Sequence, residues 1–166
     1  MGVSGCGKST IGELLARELG ADFLDGDTLH PPVNVAKLAT GIPLDDDDRL
    51  PWLQSIGHRF SAAGGHSLVI ACSALKRTYR DIIRAGGREV PFIHLHGSEP
   101  LLASRMAVRP GHFMPASLLQ SQLLTLEPLQ ADEAGTALDI TVPPEELALS
   151  AQSWLKQHER RTVNLA

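Results

Sequence analysis

Gly2-Val3-Ser4-Gly5-Cys6-Gly7-Lys8-Ser9 satisfies the pattern G-x-x-x-x-G-K-[ST] in full. Glycines let a backbone wrap an anion at φ values that a Cβ forbids. Successive N–H groups, and the start of the helix that follows, then face the bound phosphates. The pattern assigns Gly2, Val3, Ser4, Gly5, Cys6, Gly7, Lys8, Ser9 and Thr10 to nucleotide phosphates, with Lys8 reaching the β and γ groups and the Ser9 hydroxyl on magnesium. An ordinary glycine-rich turn would not require a lysine and a hydroxyl at that spacing.

The residues after the loop support this reading. Ile11, Leu14, Leu15 and Leu19 form one apolar stripe, Glu13 and Arg17 stand at i,i+4, and Gly20 stops the helix. Ala21–Asp25 reads as a short strand with Asp25 and Asp27 at its carboxyl end, where open α/β sheets place ligands. A short helix is expected over Asn34–Thr40, and a longer one runs from the Asp45–Asp48 acids through Phe60. Ser67–Cys72 and Pro91–His96 read as strands, Lys76–Ala85 as a basic helix, and Leu101–Met106 as part of another helix. Arg109–Pro115 reads as a loop, Leu138–Val142 as a last strand, and Pro144–Gln157 as a C-terminal helix before a frayed tail. Alternating strands and helices predict a single α/β domain spanning 1–166, with helices on both faces of a parallel sheet.

A strand should precede the loop, and only Met1 stands there. Losing about five doubly covered residues would forfeit roughly 10 kcal/mol, as much as a whole domain's stability. The expectation is therefore that the first strand is missing from this chain and that the natural protein starts upstream.

Composition bounds the function. With 43% apolar and 20% charged residues the chain can bury an ordinary core, and a net charge of -4 argues against a nucleic-acid partner. Charge is uneven: seven acids and one lysine lie between Asp22 and Asp48, whereas Lys76, Arg77, Arg80, Arg84 and Arg88 oppose Asp81 alone. These are either two solvated faces or the walls of a magnesium-and-anion site. Two cysteines make no disulfide framework, no apolar run is long enough to span a membrane, and no signal peptide precedes the loop, so a cytoplasmic location is expected.

Four blocks carry a more specific resemblance. They are Phe23-Leu24-Asp25-Gly26-Asp27-x2-His30-Pro31-x2-Asn34; Gly41-x-Pro43-Leu44-x-Asp46-x-Asp48-Arg49-x-Pro51-Trp52-Leu53; Cys72-Ser73-Ala74-Leu75-Lys76-x2-Tyr79-Arg80-Asp81; and Ser104-Arg105-x3-Arg109-x-Gly111-His112-Phe113. In this order and spacing they resemble the gluconate kinases of the thermoresistant type, over nearly the whole chain. Leu38 and Met114 depart from the family's frequent methionine and second aromatic, both swaps of similar volume.

The resemblance implies an adenylate-kinase-like P-loop fold, a three-layer αβα sandwich with a short lid near 109–124. It implies ATP-dependent phosphorylation of D-gluconate, with ATP and Mg2+ as cofactors. Family members commonly work as dimers; the sequence itself is silent on that. Asp27 is the candidate to orient the acceptor hydroxyl, and Asp25 to hold a magnesium-bound water, unless either is a solvated strand-end acid. Arg49, Lys76 and Arg80 are candidates for the substrate carboxylate, with His30, Asn34 and Tyr79 for its hydroxyls and Lys37 as a weaker candidate. Asp45–Asp48 is read as a helix cap, with Asp48 holding Arg49. Arg109 is assigned to the transferring phosphate, Arg105 to its neighbourhood, adenine to Arg105 and the Asp139–Pro143 segment, and His112 either to substrate or to lid packing. Two other readings stay open: a relative of shikimate or nucleoside-monophosphate kinases, and a nucleotide-binding module made inactive by its missing strand.

Overall fold

The structure is a computed structural model that describes residues 1–86, 90–107 and 117–163. The glycine loop leads into α1 (Lys8–Leu19), β1 (Asp22–Asp25) and a 3-10 turn (Gly26–Leu29). Helices α2 (Pro32–Ala39) and α3 (Asp46–Ala62) come next, then β2 (Leu68–Ala71), α4 (Arg77–Arg84) and β3 (Phe92–His96). The chain closes with α5 (Glu99–Ala107), α6 (Ser117–Thr125), β4 (Gly135–Asp139) and α7 (Pro144–Val163).

The strands form two parallel pairs, β1 with β2 and β3 with β4. One face is covered by α1 and α7, where Leu15, Ala148 and Ala151 pack with Val69, Ile93 and Leu138. On the other face Trp52, Ile56, Tyr79 and Ile83 of α3 and α4 pack against Ile70, Cys72 and Phe92. Helix, sheet and helix layers are thus present, as the alternating pattern predicts.

Between β2 and β3 lies a cavity of about 500 Å³, bordered by Ile11, Val69, Ala71, Phe92, Ile93 and Leu155 among others. Met1 closes one end. Its amine donates to the Ile93 carbonyl, and its own carbonyl accepts from Leu95 N–H at 2.9 Å, the bonding of one strand residue running parallel to β3. No described strand precedes the loop, so this one residue stands where the first strand is expected.

Several boundaries differ from the pattern-based reading. The last strand lies at Gly135–Asp139 rather than Leu138–Val142. β-branched Ile140, Thr141 and Val142 suggested a strand, but the Asp139 carboxylate accepts from Thr141 N–H at 2.9 Å and turns the chain there. Helix α7 runs to Val163, past the expected stop near Gln157. The loop expected at Arg109–Pro115 lies outside the described residues, and the remainder of the lid segment includes helix α6.

Helices α3 and α4 approach until backbones touch. A Cβ at Gly86 would sit 2.5 Å from the Gly57 carbonyl carbon, and one at Gly57 would lie 2.9 Å from the Ile83 oxygen.

Candidate active site

The glycine loop curls as its composition requires. Gly5 and Gly7 take φ of 81° and 87°, inside the left-handed region that favours glycine. A Cβ on Gly5 would also strike the Leu102 carbonyl of α5 at 2.8 Å, so that helix packs directly on the loop. Val3 and Cys6 are buried beneath, which fixes the loop while Lys8 and Ser9 remain half-buried at the mouth and Thr10 is exposed. Lys8 Nζ donates to the Val3 carbonyl at 3.1 Å, holding the ammonium across the loop.

Ser9 and Asp25 meet. The Ser9 hydroxyl donates to Asp25 Oδ2 at 2.8 Å, while Asp27 N–H donates to Oδ1 at 3.1 Å. A hydroxyl and a carboxylate beside a phosphate cradle are donors that suit magnesium, a cation held by few protein oxygens together with substrate phosphates. Among the described residues no group of three or more His, Cys, Asp or Glu is placed so that it could hold a metal ion.

A line of contacts runs from this pair to the acceptor candidates. The Trp52 indole N–H donates to the Gly26 carbonyl at 2.7 Å, and the His30 ring stacks on Trp52 at 4.2 Å between centroids. Burial, then the charge of nearby Arg49, pushes the His30 pKa down to about 4. His30 is therefore a neutral hydrogen-bonding group at neutral pH. Arg49 and Lys76 both lie over the Tyr79 ring, at 5.6 and 5.4 Å from its centroid. Asp46 completes the cluster by accepting from Lys76 Nζ at 2.7 and 2.8 Å and from the Tyr79 hydroxyl. Of the described candidates only Lys8 borders the inter-strand cavity, so that cavity is separate from this site.

Other candidates stand elsewhere. Arg80 is fully buried, and its guanidinium bonds Glu133 at 2.6 and 2.7 Å and the carbonyls of Ala74, Leu75, Glu127 and Pro128. With its donors directed there it is a structural clamp rather than an acceptor contact. Asp48 does not hold Arg49. It bonds Lys37 at 2.6 and 2.8 Å and closes a reciprocal cap with Asp45, while Arg49 Nε donates to the Leu44 carbonyl at 3.3 Å. Asn34 is buried, with its amide donating to the Asp48 carbonyl at 2.7 Å and lying 3.5 Å from His30 Nδ1. Arg105 donates to the Ile140 carbonyl at 2.9 Å, which places it beside the segment expected near adenine. Arg109 and His112 lie outside the described residues.

The sequence reading missed two participants. Gln122 of α6 accepts from Ser4 N–H of the glycine loop at 2.7 Å, and no motif marks it. Asp46 was read only as part of a cap, although it sits in a quoted block beside Arg49.

Known proteins match this arrangement. The family model described as "Shikimate kinase" matches residues 4–123. A gluconokinase of Gluconobacter oxydans (strain 621H) is 52% identical over 136 residues, covering 80% of this chain and 76% of that protein. The thermoresistant gluconokinase of Escherichia coli (strain K12) is 43% identical over 160 residues, covering 95% and 91%. The crystal structure of a gluconokinase from Sinorhizobium meliloti 1021 superposes with a TM-score of 0.90 at 47% identity, covering 100% of this chain and 94% of that one. The APS kinase of Mycobacterium tuberculosis, at 18% identity and a TM-score of 0.68, shares the fold. Relatives of 43–52% identity that span most of the chain, together with a gluconokinase structure of the same fold, place this protein in the gluconokinase family of ATP-dependent P-loop kinases.

Proposed function

We propose that this protein transfers the terminal phosphoryl group of ATP to the 6-hydroxyl of D-gluconate, yielding 6-phospho-D-gluconate and ADP. The observation that carries the reading is the run of contacts Ser9–Asp25 and Gly26–Trp52–His30 beside the phosphate loop, with the cations Arg49 and Lys76 gathered on Tyr79.

Phosphoryl transfer needs little covalent help from protein. It needs alignment and neutralised charge. The loop N–H groups and Lys8 hold the phosphates, and Ser9 with Asp25 hold magnesium. That ion, when bound, neutralises the charge developing on the phosphate oxygens. Asp27, on the turn fixed by Trp52, orients the acceptor hydroxyl and takes its proton as the new oxygen–phosphorus bond forms and the bond to ADP breaks. Neutral His30 bonds acceptor hydroxyls, and Arg49 and Lys76 take the carboxylate. Arg109 and Arg105 complete the charge around the phosphates. Two buried free thiols, Cys6 and Cys72, fit a reducing compartment and support a cytoplasmic location. Dimerisation rests on family habit alone.

A coupled ADP-release assay with gluconate, shikimate and AMP tests the acceptor. Turnover confined to shikimate or AMP would overturn the reading, and tight ATP binding without any turnover would favour a nucleotide-binding module. Asp27→Asn should lower kcat by about 100-fold or more while the affinity for ATP stays near normal, as expected when an acid–base group is removed. A near-normal kcat would rule out that role.

A further inference from the structure

Asp46 is a carboxylate held by groups suited to recognising a carboxylate. Lys76 grips both of its oxygens and Tyr79 bonds one of them. Its own side chain is 64% exposed, whereas Tyr79 and Arg49 beside it are buried. Helix α3 does not need it as a cap, because Asp45 and Asp48 satisfy the helix start reciprocally. Arg49 supplies the second observation. It is only 8% exposed, its Nε reaches a carbonyl, and its two terminal nitrogens make no hydrogen bond among the described residues. A guanidinium fork at the surface of a mostly buried arginine, with no hydrogen bond of its own and next to an exposed carboxylate on the neighbouring cation, is an incompletely filled anion site.

We propose that Asp46 is a specificity-determining residue that fills the anion position between Lys76 and Tyr79 in the ligand-free protein and yields it to the carboxylate of the acceptor. The inference rests on the gluconate reading above. An acceptor carboxylate replaces every bond that Asp46 makes and adds the Arg49 fork, a charge-assisted pairing stronger than a neutral one. A neutral polyol offers no such replacement. It meets a pocket whose cation is already paired, so Asp46 sets a threshold that only an anionic acceptor passes.

The test compares the wild type with Asp46→Asn and Asp46→Glu, measuring gluconate and glucitol binding by titration calorimetry and gluconate turnover by ADP release. Removing a competing exposed ion pair should tighten gluconate binding in D46N by about three- to fivefold. Its affinity for glucitol should not rise with that for gluconate. The gain should shrink as salt is raised, because the competing charge is exposed. D46E, which keeps a carboxylate within reach, should stay near wild type. Weaker gluconate binding in D46N would mean that Asp46 holds Lys76 for the substrate, and an unchanged affinity would make it a plain surface pair; either overturns the inference. Wild-type protein that neither binds nor phosphorylates gluconate would overturn the functional reading itself, whatever the variants do.

Discussion

Trp52 ties the chemistry together through one hydrogen bond and one stacked ring. Its indole reaches the Gly26 carbonyl between Asp25 and Asp27, and its face supports His30. Trp52→Phe keeps an aromatic ring but leaves the carbonyl without its partner, a loss of about 1–3 kcal/mol. The expected result is a lower urea midpoint together with a raised KM for the acceptor, while ATP affinity is spared; an unchanged acceptor KM would show that the turn stands without it. Other single residues show where reading a sequence stops. Lys8 and Ser9 could be placed because a phosphate loop fixes their spacing, and Asp25 because it ends the strand that follows the loop's helix. Arg80 was misplaced because a basic helix face looks the same whether its arginines meet solvent, substrate or a buried glutamate 53 residues away. Asp48 was misassigned for a similar reason, since adjacency in sequence favoured Arg49 while the helix turn directs the carboxylate to Lys37.

At the scale of elements, helices with a stop signal were read well and strands less so. α1 ends where Gly20 adopts the left-handed conformation, and α3 starts on the acids whose capping was expected. β4 slipped by three residues because its own sequence, Gly135-Thr136-Ala137-Leu138-Asp139, is weakly β-forming and is held by pairing with β3. Tertiary contact, not local preference, decides it. The α3 cap gives a direct measurement. Asp45→Ala removes the carboxylate that accepts from Asp48 N–H at 2.8 Å, and should cost about 0.5–2 kcal/mol in urea unfolding. Arg49, a candidate acceptor contact, stands one position past Asp48 in this first turn, so the substitution should loosen acceptor binding more than it loosens ATP binding. A stability equal to wild type would mean that Asp48 and the neighbouring acids hold the helix start without it.

Three groups make the whole molecule acid-sensitive, and of them only His30 belongs to the candidate site. Hydrogen bonds from Arg80 hold the fully buried Glu133 carboxyl at a pKa of about 2, below its ordinary 4.5. Burial lowers His30 and His94 from 6.5 to about 4, and His94 Nε2 has no hydrogen-bond partner among the described residues. In all three groups the unfolded chain binds protons more readily than the folded one. These groups make stability fall with acidity, first between pH 6.5 and 4 as the histidines take up protons and become charged, then between 4.5 and 2 as Glu133 is protonated and loses its charge. Urea unfolding across this range should show both limbs. Glu133→Gln should cost about 3–5 kcal/mol at neutral pH by leaving Arg80 buried and unpaired, and should flatten the lower limb. If that limb persists in the variant, Glu133 is not its source.

The contact between Gly57 and Gly86 gives the candidate acceptor site a fixed gauge. Where side chains touch, a neighbour can change rotamer and the gap between two helices can breathe. Here peptide meets peptide, and the closest possible approach of α3 and α4 is set by the thickness of the backbone itself. Asp46 and Arg49 extend from one of these helices and Lys76 and Tyr79 from the start of the other, so the width of the mouth between them is a lever length measured from that pivot. A bulkier acceptor would be admitted by a spacer at the glycines more readily than by trimming the groups that line the opening.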